Sequence, residues 1–518
     1  MNQPSLPSAL VQQLINALPK DLSLTIYHLS TSTNKVPSIY PEPPWQQLDR
    51  TSRECHFLAA SINFPTDEEK TKINEVLVYA IEIYVYSTPR DNTFFVSKVD
   101  STGYLSLLKL SPDTPSPLRT LTFTILHYLV DTLRKPRTKS IISLFARAQD
   151  QYLFPGSVEN KLKHVLDDRD LIRWWCRTLN LLIDKTKIDT IQPWNSVRGY
   201  LLVPGLDPHE TQAFIPKNLS KAWEIGHPLV QISRFQGPVP PRCLIPHFPD
   251  DPKARYIDEL DEEIPKGNGS NDQWKSIHSV DQFWEMMAYR QECSAGRLVG
   301  FIWIVFQPDS NCPATGVKGC HNSVPLEDGV IGNCSDIREK SQPSCYDLKD
   351  SKFMISNPSS KKINHPNDKK KRKISNIEDQ TLIGQCKQRK VEGKRLTGRI
   401  TPRNPLAKSK NCAIKYIEAR ALCPSESKIY GQVAVDDSDY KRLVDHLLNL
   451  DFSNIERAVS SSKRWINEVR YAARPETEAA WGQRFTGTKE IQVPFVATKT
   501  CVSTLNDALV RKKPKNKA

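Results

Sequence analysis

The sequence predicts an α/β fold in which a central mixed sheet is flanked by helices and interrupted by a long disordered insert. Strand-like and helical segments alternate over residues 76–306, which is typical of layered α/β proteins. Hydrophobic residues make up 38% of the 518 residues, below the usual share but sufficient for a substantial core. Composition then changes sharply after Pro308, where Ser, Asn, Lys and Pro replace the periodic pattern.

Three segments have the composition of buried strands. Residues 76–86 are dense in β-branched and aromatic side chains, and residues 93–99 repeat that character after a turn. Residues 296–306 form a further apolar run. Because apolar residues are continuous and do not alternate with polar ones, we expect a sheet covered on both faces.

Five helices are indicated by apolar residues at helical spacing. The first covers 116–133 and begins with a Ser-Pro pair that suits an N-cap and first turn. The second begins near 167, and the third begins at Ser279, where Gln282 is predicted to complete a capping box. The last two follow the insert, over 443–450 and 454–472.

Charge is concentrated outside the predicted folded parts. The formal net charge is +14, yet residues 361–410 alone carry 16 Lys/Arg against 4 Asp/Glu, and five more basic residues lie in the tail. The remainder is close to neutral, which disfavours a nucleic-acid groove across the folded body. We predict the first part of a folded domain over 1–308, a disordered basic insert over 309–394, a C-terminal part of the same domain over 395–493 and a disordered basic tail over 494–518.

Several classes of protein are disfavoured by missing signals. The first residues lack the pattern of a secretory signal, and the longest apolar run, 298–306, is far shorter than the ~20 residues that span a bilayer. Twelve cysteines are scattered without metal-ligand spacing, so we expect free thiols and no metal. Phosphate-loop, nucleophile-elbow and zinc-protease motifs are absent. An intracellular protein without a membrane segment is expected.

Polar and aromatic residues mark two candidate site segments. Asp100 ends a buried strand and either starts a turn or opens onto a site at the sheet edge. Trp174 and Trp175 are adjacent on a helix, so we predict that one packs inward while the other lines a site. Upstream, Lys161, Lys163 and His164 are either solvated or serve an anionic cofactor.

Two charged segments, 250–263 and 369–373, also suggest functional roles. Residues 250–263 contain seven acidic and two basic residues. They form either a solvated helix start or paired carboxylates for acid–base chemistry, with an acidic surface that attracts a basic polypeptide. The run 369–373 is typical of a nuclear import signal.

Together these segments resemble one family, the fungal histone acetyltransferases named for regulation of Ty transposition. The resemblance implies a fold similar to the acetyltransferase domain of the CREB-binding-protein type coactivators, with acetyl-CoA in a cleft. It also implies acetylation of lysines of newly synthesised histone three, in chromatin assembly and the DNA-damage response. The matching stretches are 83–86, 95–104, 151–155, 163–164, 174–175 and 248–256.

Carried over position by position, the resemblance implies roles for individual residues. Tyr152 and Trp175 shape a lysine tunnel, Asp251 transfers the proton with support from Asp250, and Lys253 becomes acetylated. Acetyl-CoA is the co-substrate and no metal is required. The residues expected to bind acetyl-CoA are Val99, Asp100, Ser101, Phe145, Gln149, His164, Val165, Leu166 and Trp174.

The resemblance further implies histone three, together with histone four, as substrate and histone chaperones of the anti-silencing-function and nucleosome-assembly types as partners. We expect the protein in the nucleus, with no membrane and no sequence-specific nucleic acid as partner. Two alternatives are a catalytically inactive histone- or chaperone-binding scaffold and a nucleic-acid-binding protein acting through 361–410. A decayed enzyme should have lost Asp100, Asp251 or Trp175, and all are present. The preferred histone lysine, the general base and the oligomeric state stay open.

Overall fold

The computed structural model describes residues 8–43, 45, 49–65, 73–185, 194–235, 237–264, 273–290, 293, 297–308, 431–473 and 481–490. The chain divides into two units, one formed by 1–315 with 425–518 and the other by 316–424. All elements below belong to the first unit. The predicted disordered insert, the basic runs and the tail lie outside the described residues.

Eleven strands form one mixed sheet in the part of the chain that the structure describes. Its order is β10-β1-β3-β4-β5-β6-β9-β7-β8, with β11 beside β1 and β2 beside β3. The pairs β1/β10, β5/β6 and β7/β8 are parallel, and the other pairs are antiparallel. The strands are β1 Ser23–Thr31, β2 Asn34–Val36, β3 Thr51–Pro65, β4 Ile73–Ser87, β5 Asp91–Ser101, β6 Lys139–Arg147, β7 Ser196–Leu202, β8 Trp223–Ile225, β9 Val299–Gln307, β10 Val433–Val435 and β11 Gln483–Thr486.

The predicted mixed α/β architecture is confirmed. The two strand segments predicted around the turn at 87–92 are the antiparallel pair β4 and β5, and the apolar run at 296–306 is β9. The first three strands had no sequence prediction. The helices of the described residues are α1 Ala9–Ala17, α2 Pro117–Thr132, α3 Asp168–Lys185, α4 Pro208–Gln212, α5 Pro252–Glu262, α6 Val280–Met287, α7 Asp437–Leu447 and α8 Ile455–Ala472.

Helix starts follow the predicted caps, with one difference. The Ser116 hydroxyl accepts the Arg119 N–H at the start of α2, and the Ser279 hydroxyl accepts the Gln282 N–H at the start of α6. The predicted capping box at α6 is wrong, because the Gln282 side chain accepts the N–H of His278 at 2.8 Å. The amide therefore satisfies a donor one residue before the N-cap.

Both faces of the sheet are buried, as the strand composition predicts. Along β9, Ile302, Ile304 and Phe306 pack into one core cluster, while Phe301, Trp303 and Val305 pack into another on the opposite face. This alternation is the two-residue period of a strand with core on both sides. Helix α8 covers β4, where the Ser462 hydroxyl accepts the Leu77 N–H at 2.9 Å.

The segment that joins α7 to α8 supports a loop between β6 and α3. The Phe452 N–H donates to the Pro155 carbonyl at 2.8 Å, and the Phe452 ring meets Phe154 edge-on at 4.9 Å. The Tyr104 hydroxyl donates to the Phe452 carbonyl at 3.3 Å. The chain after residue 430 is therefore part of the same packed unit as the chain before residue 309.

We expect Gly156→Ala to lower the free energy of unfolding more than a matched control, Gly205→Ala. Both glycines have positive φ, +77° and +87°, and an alanine there costs about 1–2 kcal/mol. A Cβ on Gly156 would also lie 3.1 Å from the Ser453 backbone nitrogen and 2.8 Å from an Asp451 carboxylate oxygen, whereas the nearest atom at Gly205 is 3.6 Å away. Denaturant unfolding should show a further loss of about 1–3 kcal/mol for Gly156→Ala. Equal losses would contradict the tight contact.

Candidate active site

A cavity of about 380 Å³ opens at the ends of β5 and β6. Because these strands are parallel neighbours, their carboxyl ends meet at one edge of the sheet, where α/β proteins place ligands. The segment after β6, residues 162–166 and the first turns of α3 complete the walls. The structure brings together here the predicted residues Val99, Asp100, Ser101, Phe145, Gln149, Tyr152, His164, Val165, Leu166, Trp174 and Trp175.

The Asp100 carboxylate organises the walls of this cavity. Its Oδ2 accepts three consecutive backbone N–H groups, those of Tyr152 at 2.7 Å, Leu153 at 2.9 Å and Phe154 at 3.2 Å. Its Oδ1 accepts the Ser101 N–H at 2.7 Å and the Lys163 ammonium at 2.9 Å. Asp100 therefore both faces the site and fixes the loop that carries Tyr152.

Lys163 is an internal cation. Its side chain is 5% exposed and donates to the Ser157 hydroxyl at 2.8 Å as well as to Asp100. Beside it Gly103, with φ +86°, approaches so closely that a Cβ would lie 2.6 Å from the Lys163 backbone. The ammonium is thus used within the fold, which disfavours the alternative that Lys163 contacts an anionic cofactor.

Aromatic side chains form the uncharged part of the cavity. The rings of Trp174 and Trp175 are perpendicular with centroids 5.0 Å apart, and both line the cavity. Trp175 packs inward, as predicted for one of the pair, and the edge-on arrangement lets it reach the cavity that Trp174 also lines. Burial raises the pKa of Tyr152 to about 12, and its hydroxyl donates to the Arg147 carbonyl at 2.5 Å. Such walls exclude water from a bound group.

Asp251 and Lys253 lie in the first turn of α5 and form a buried ion pair. Asp251 is the N-cap of α5 and accepts the Lys253 N–H at 3.1 Å, while its other oxygen contacts the Lys253 ammonium. Both side chains are 3% exposed. Burial lowers the pKa of Lys253, and the Asp251 charge partly offsets that effect. Neither residue is among the described residues that line the cavity.

Three neighbouring phenylalanine rings connect this pair to the cavity. The Lys253 ammonium lies 4.9 Å from the centroid of Phe248. Phe248 stacks on Phe95 at 4.2 Å, and Phe95 lies 6.2 Å from Phe145, which lines the cavity. Asp250 has a different environment, because its side chain is 68% exposed and pairs with the cavity residue Lys98 at 2.9 Å.

The acidic stretch after Asp251 fastens α5 to its neighbours. Asp261 accepts from Arg242 at 2.9 Å and from the Trp274 indole at 2.7 Å. Glu259 pairs with Arg290, and Glu263 accepts the N–H of Ser276 at 3.1 Å. These carboxylates remain at the surface, with Asp261 34% and Glu259 43% exposed, so the predicted solvated helix start agrees with their exposure although neighbouring groups pair with them.

The four cysteines among the described residues are buried. Burial raises the pKa of Cys176, and none of the described residues around the cavity is a cysteine. No group of three His, Cys, Asp or Glu able to hold a metal ion occurs in the ranges that the structure describes. In the same ranges every helix is too short or too polar to span a bilayer.

An apolar cavity with a few convergent polar groups at a strand edge is the geometry of an enzyme's ligand site. A family model described as the histone acetyltransferase KAT11-type domain matches residues 10–141 and 135–468. Histone acetyltransferase rtt109 of Aspergillus flavus is 34% identical over 534 residues, covering 97% of this chain and 88% of the relative. The Schizosaccharomyces pombe rtt109 is 33% identical over 297 residues, covering 55% and 68%.

Among solved structures, that of Rtt109 from Aspergillus fumigatus has a TM-score of 0.63 and 32% sequence identity, covering 93% of this chain and 99% of that one. The chain belongs to the KAT11-type, Rtt109-like family of histone acetyltransferases. The resemblance identified from the sequence is thereby confirmed, and the protein is an enzyme that transfers acetyl groups to histone lysines. The inactive scaffold is set aside.

We expect Asp100→Asn to destabilise the protein by about 3–5 kcal/mol, because it leaves the buried Lys163 charge without its partner. The new amide would also direct N–H groups at the N–H groups of 152–154. Denaturant unfolding measures the loss, with exposed Asp113→Asn as the matched control. The double variant Asp100→Asn/Lys163→Met should recover part of the loss. A single variant as stable as the control would contradict the role of Asp100.

Proposed function

We propose that the cavity at the ends of β5 and β6 binds acetyl-CoA and the substrate lysine, and that the substrate is histone three. The observation that carries the proposal is the convergence of eleven predicted residues from four chain segments on one cavity. The family supplies the reaction, and the geometry supports these residues as its site.

The cavity fits the acetyl end and pantetheine arm of acetyl-CoA. Its volume of about 380 Å³ lies within the range of about 300–1,000 Å³ for ligand sites. Leu118 also lines it, so the N-terminal turn of α2 lies at its edge, and Arg119 is the next residue of that turn. The positive end of a helix dipole and a guanidinium suit the phosphates of the nucleotide end.

The aromatic walls address the main chemical obstacle, which is the positive charge of the substrate amine. A free lysine has a pKa near ~10.4 and is protonated at neutral pH. Between Tyr152 and Trp175 the ammonium would lose water, and desolvation lowers the pKa of an amine. The neutral nitrogen then forms a C–N bond to the acetyl carbon as the C–S bond breaks. Of the two protons that the nitrogen loses, one ends on the coenzyme A thiol and the other reaches solvent.

The carboxylates at the start of α5 are proposed as the proton acceptors. Asp251 is the residue that the family resemblance favours, and its carboxylate is occupied by Lys253 in this structure. Asp250 is largely exposed and paired to a cavity residue, which supports it as the group that passes the proton to water. The two are thus proposed to act as one unit, with Asp251 fixing the turn that holds Asp250.

Lys253 is proposed to be acetylated by the protein itself. A buried ammonium is costly, and burial already lowers the pKa of this residue. An acetylated side chain would be neutral and would keep one N–H for the Asp251 carboxylate. The modification would therefore replace the ion pair by a hydrogen bond and leave the Asp251 carboxylate without its cation.

The partners and location are proposed from the family and the sequence. Histone three together with histone four is the proposed substrate, and histone chaperones of the anti-silencing-function and nucleosome-assembly types are the proposed partners. The basic run 369–373 supports import into the nucleus.

Incubation of the full chain with acetyl-CoA and a histone three–histone four complex should acetylate histone three and Lys253, as read by mass spectrometry.

Trp174→Ala should weaken acetyl-CoA binding about tenfold in calorimetry, because it removes an apolar wall from a pre-formed site. Trp45→Ala, at a tryptophan that is 58% exposed, is the matched control. Unmodified histone three, or equal affinities in the two variants, would overturn the proposal.

A further inference from the structure

Lys98 connects the cavity to the start of α5. It lies on β5 two residues before Asp100 and lines the cavity with a side chain that is 19% exposed. Its ammonium lies 3.2 Å from a Glu82 oxygen on β4 and 2.9 Å from an Asp250 oxygen. It also lies 3.4 Å from the Ser97 hydroxyl. One side chain therefore bridges two strands and the turn before a helix.

Glu82 is the fixed end of this bridge. Its side chain is 2% exposed, and it accepts the Tyr84 hydroxyl at 2.9 Å and the Tyr440 hydroxyl at 3.4 Å. A carboxylate this deep needs a paired cation. Burial disfavours the Lys98 charge, but Glu82 and Asp250 outweigh it and the pKa of Lys98 is raised. Lys98 is thus a permanent cation, unsuited to act as a nucleophile or a base.

Asp250, at the other end of the bridge, is weakly restrained by its surroundings. Its φ of +57° is left-handed, which is uncommon for a residue other than glycine and costs about 1–2 kcal/mol. The side chain is mostly exposed, so few packing contacts restrain it. Asp251 and Lys253 follow directly, and the geometry of their buried pair depends on how this turn is placed.

We propose that Lys98 is a positioning residue for acetyl transfer, which holds the Asp250–Asp251 turn at the cavity edge through an ion pair anchored on Glu82. The proposal rests on the proposed function of this cavity and of the two aspartates. Because two carboxylates flank one ammonium, the bridge carries a net negative charge and does not repel an incoming lysine.

Lys98→Met should lower kcat for histone three by about 10- to 100-fold, since misplaced catalytic groups cost that much. Acetyl-CoA affinity should stay within about twofold of wild type, because the methylenes that line the cavity are retained. Lys98→Arg keeps the charge and should recover most of the activity. Lys221→Met, at an exposed lysine, is the matched control.

The double variant Glu82→Gln/Lys98→Met separates positioning from stability. It removes the unpaired buried carboxylate, so the melting temperature should return toward wild type while kcat stays low. Recovery of kcat together with the melting temperature would overturn the proposal, as would a wild-type kcat in Lys98→Met. A different result would indicate that the proposed function itself is wrong. In that case Trp174→Ala would leave the acetyl-CoA affinity unchanged, and histone three would remain unmodified.

Discussion

The structure of the site depends on one buried carboxylate at the end of a strand. Asp100 accepts three successive N–H groups from 152–154 and pairs with Lys163, so two parts of the segment between β6 and α3 are fixed to β5 by a single side chain. Without it the three N–H groups would lose their acceptor and the Lys163 ammonium its counter-charge. The carboxylate thereby performs a structural task at a position where the sequence alone also allowed a simple turn.

Charge and apolar surface are separated around the cavity. Lys98 and Lys163 both line it, yet each ammonium is paired with an acid, while Tyr152, Trp174 and Trp175 supply uncharged walls. Under the proposed function, an entering lysine would meet apolar rings along its methylenes and carboxylates near the outer edge. This arrangement suits an enzyme whose substrate must lose a charge before it reacts.

The sequence predicted those strands and helices that have a distinctive local composition or a cap residue. The β4–β5 pair, the start of α2 and β9 follow from composition and caps, and the family resemblance gathered the cavity residues. Strand β3 was missed because polar residues interrupt its apolar pattern. Its His56 is buried against His28 of β1 at 3.0 Å, a partner that no local pattern reveals. The inward Asp251–Lys253 pair and the bridge formed by Lys98 likewise depend on contacts between distant segments.

A crystal structure with a covalent lysine–coenzyme A conjugate tests the central claim most directly, because it occupies both halves of the site at once. We expect the sulfur inside the cavity and the lysine methylenes between Tyr152 and Trp175, with the Asp100 contacts to 152–154 unchanged. A conjugate bound elsewhere, for example in the smaller cavity beside Lys20 and Arg484, would contradict it.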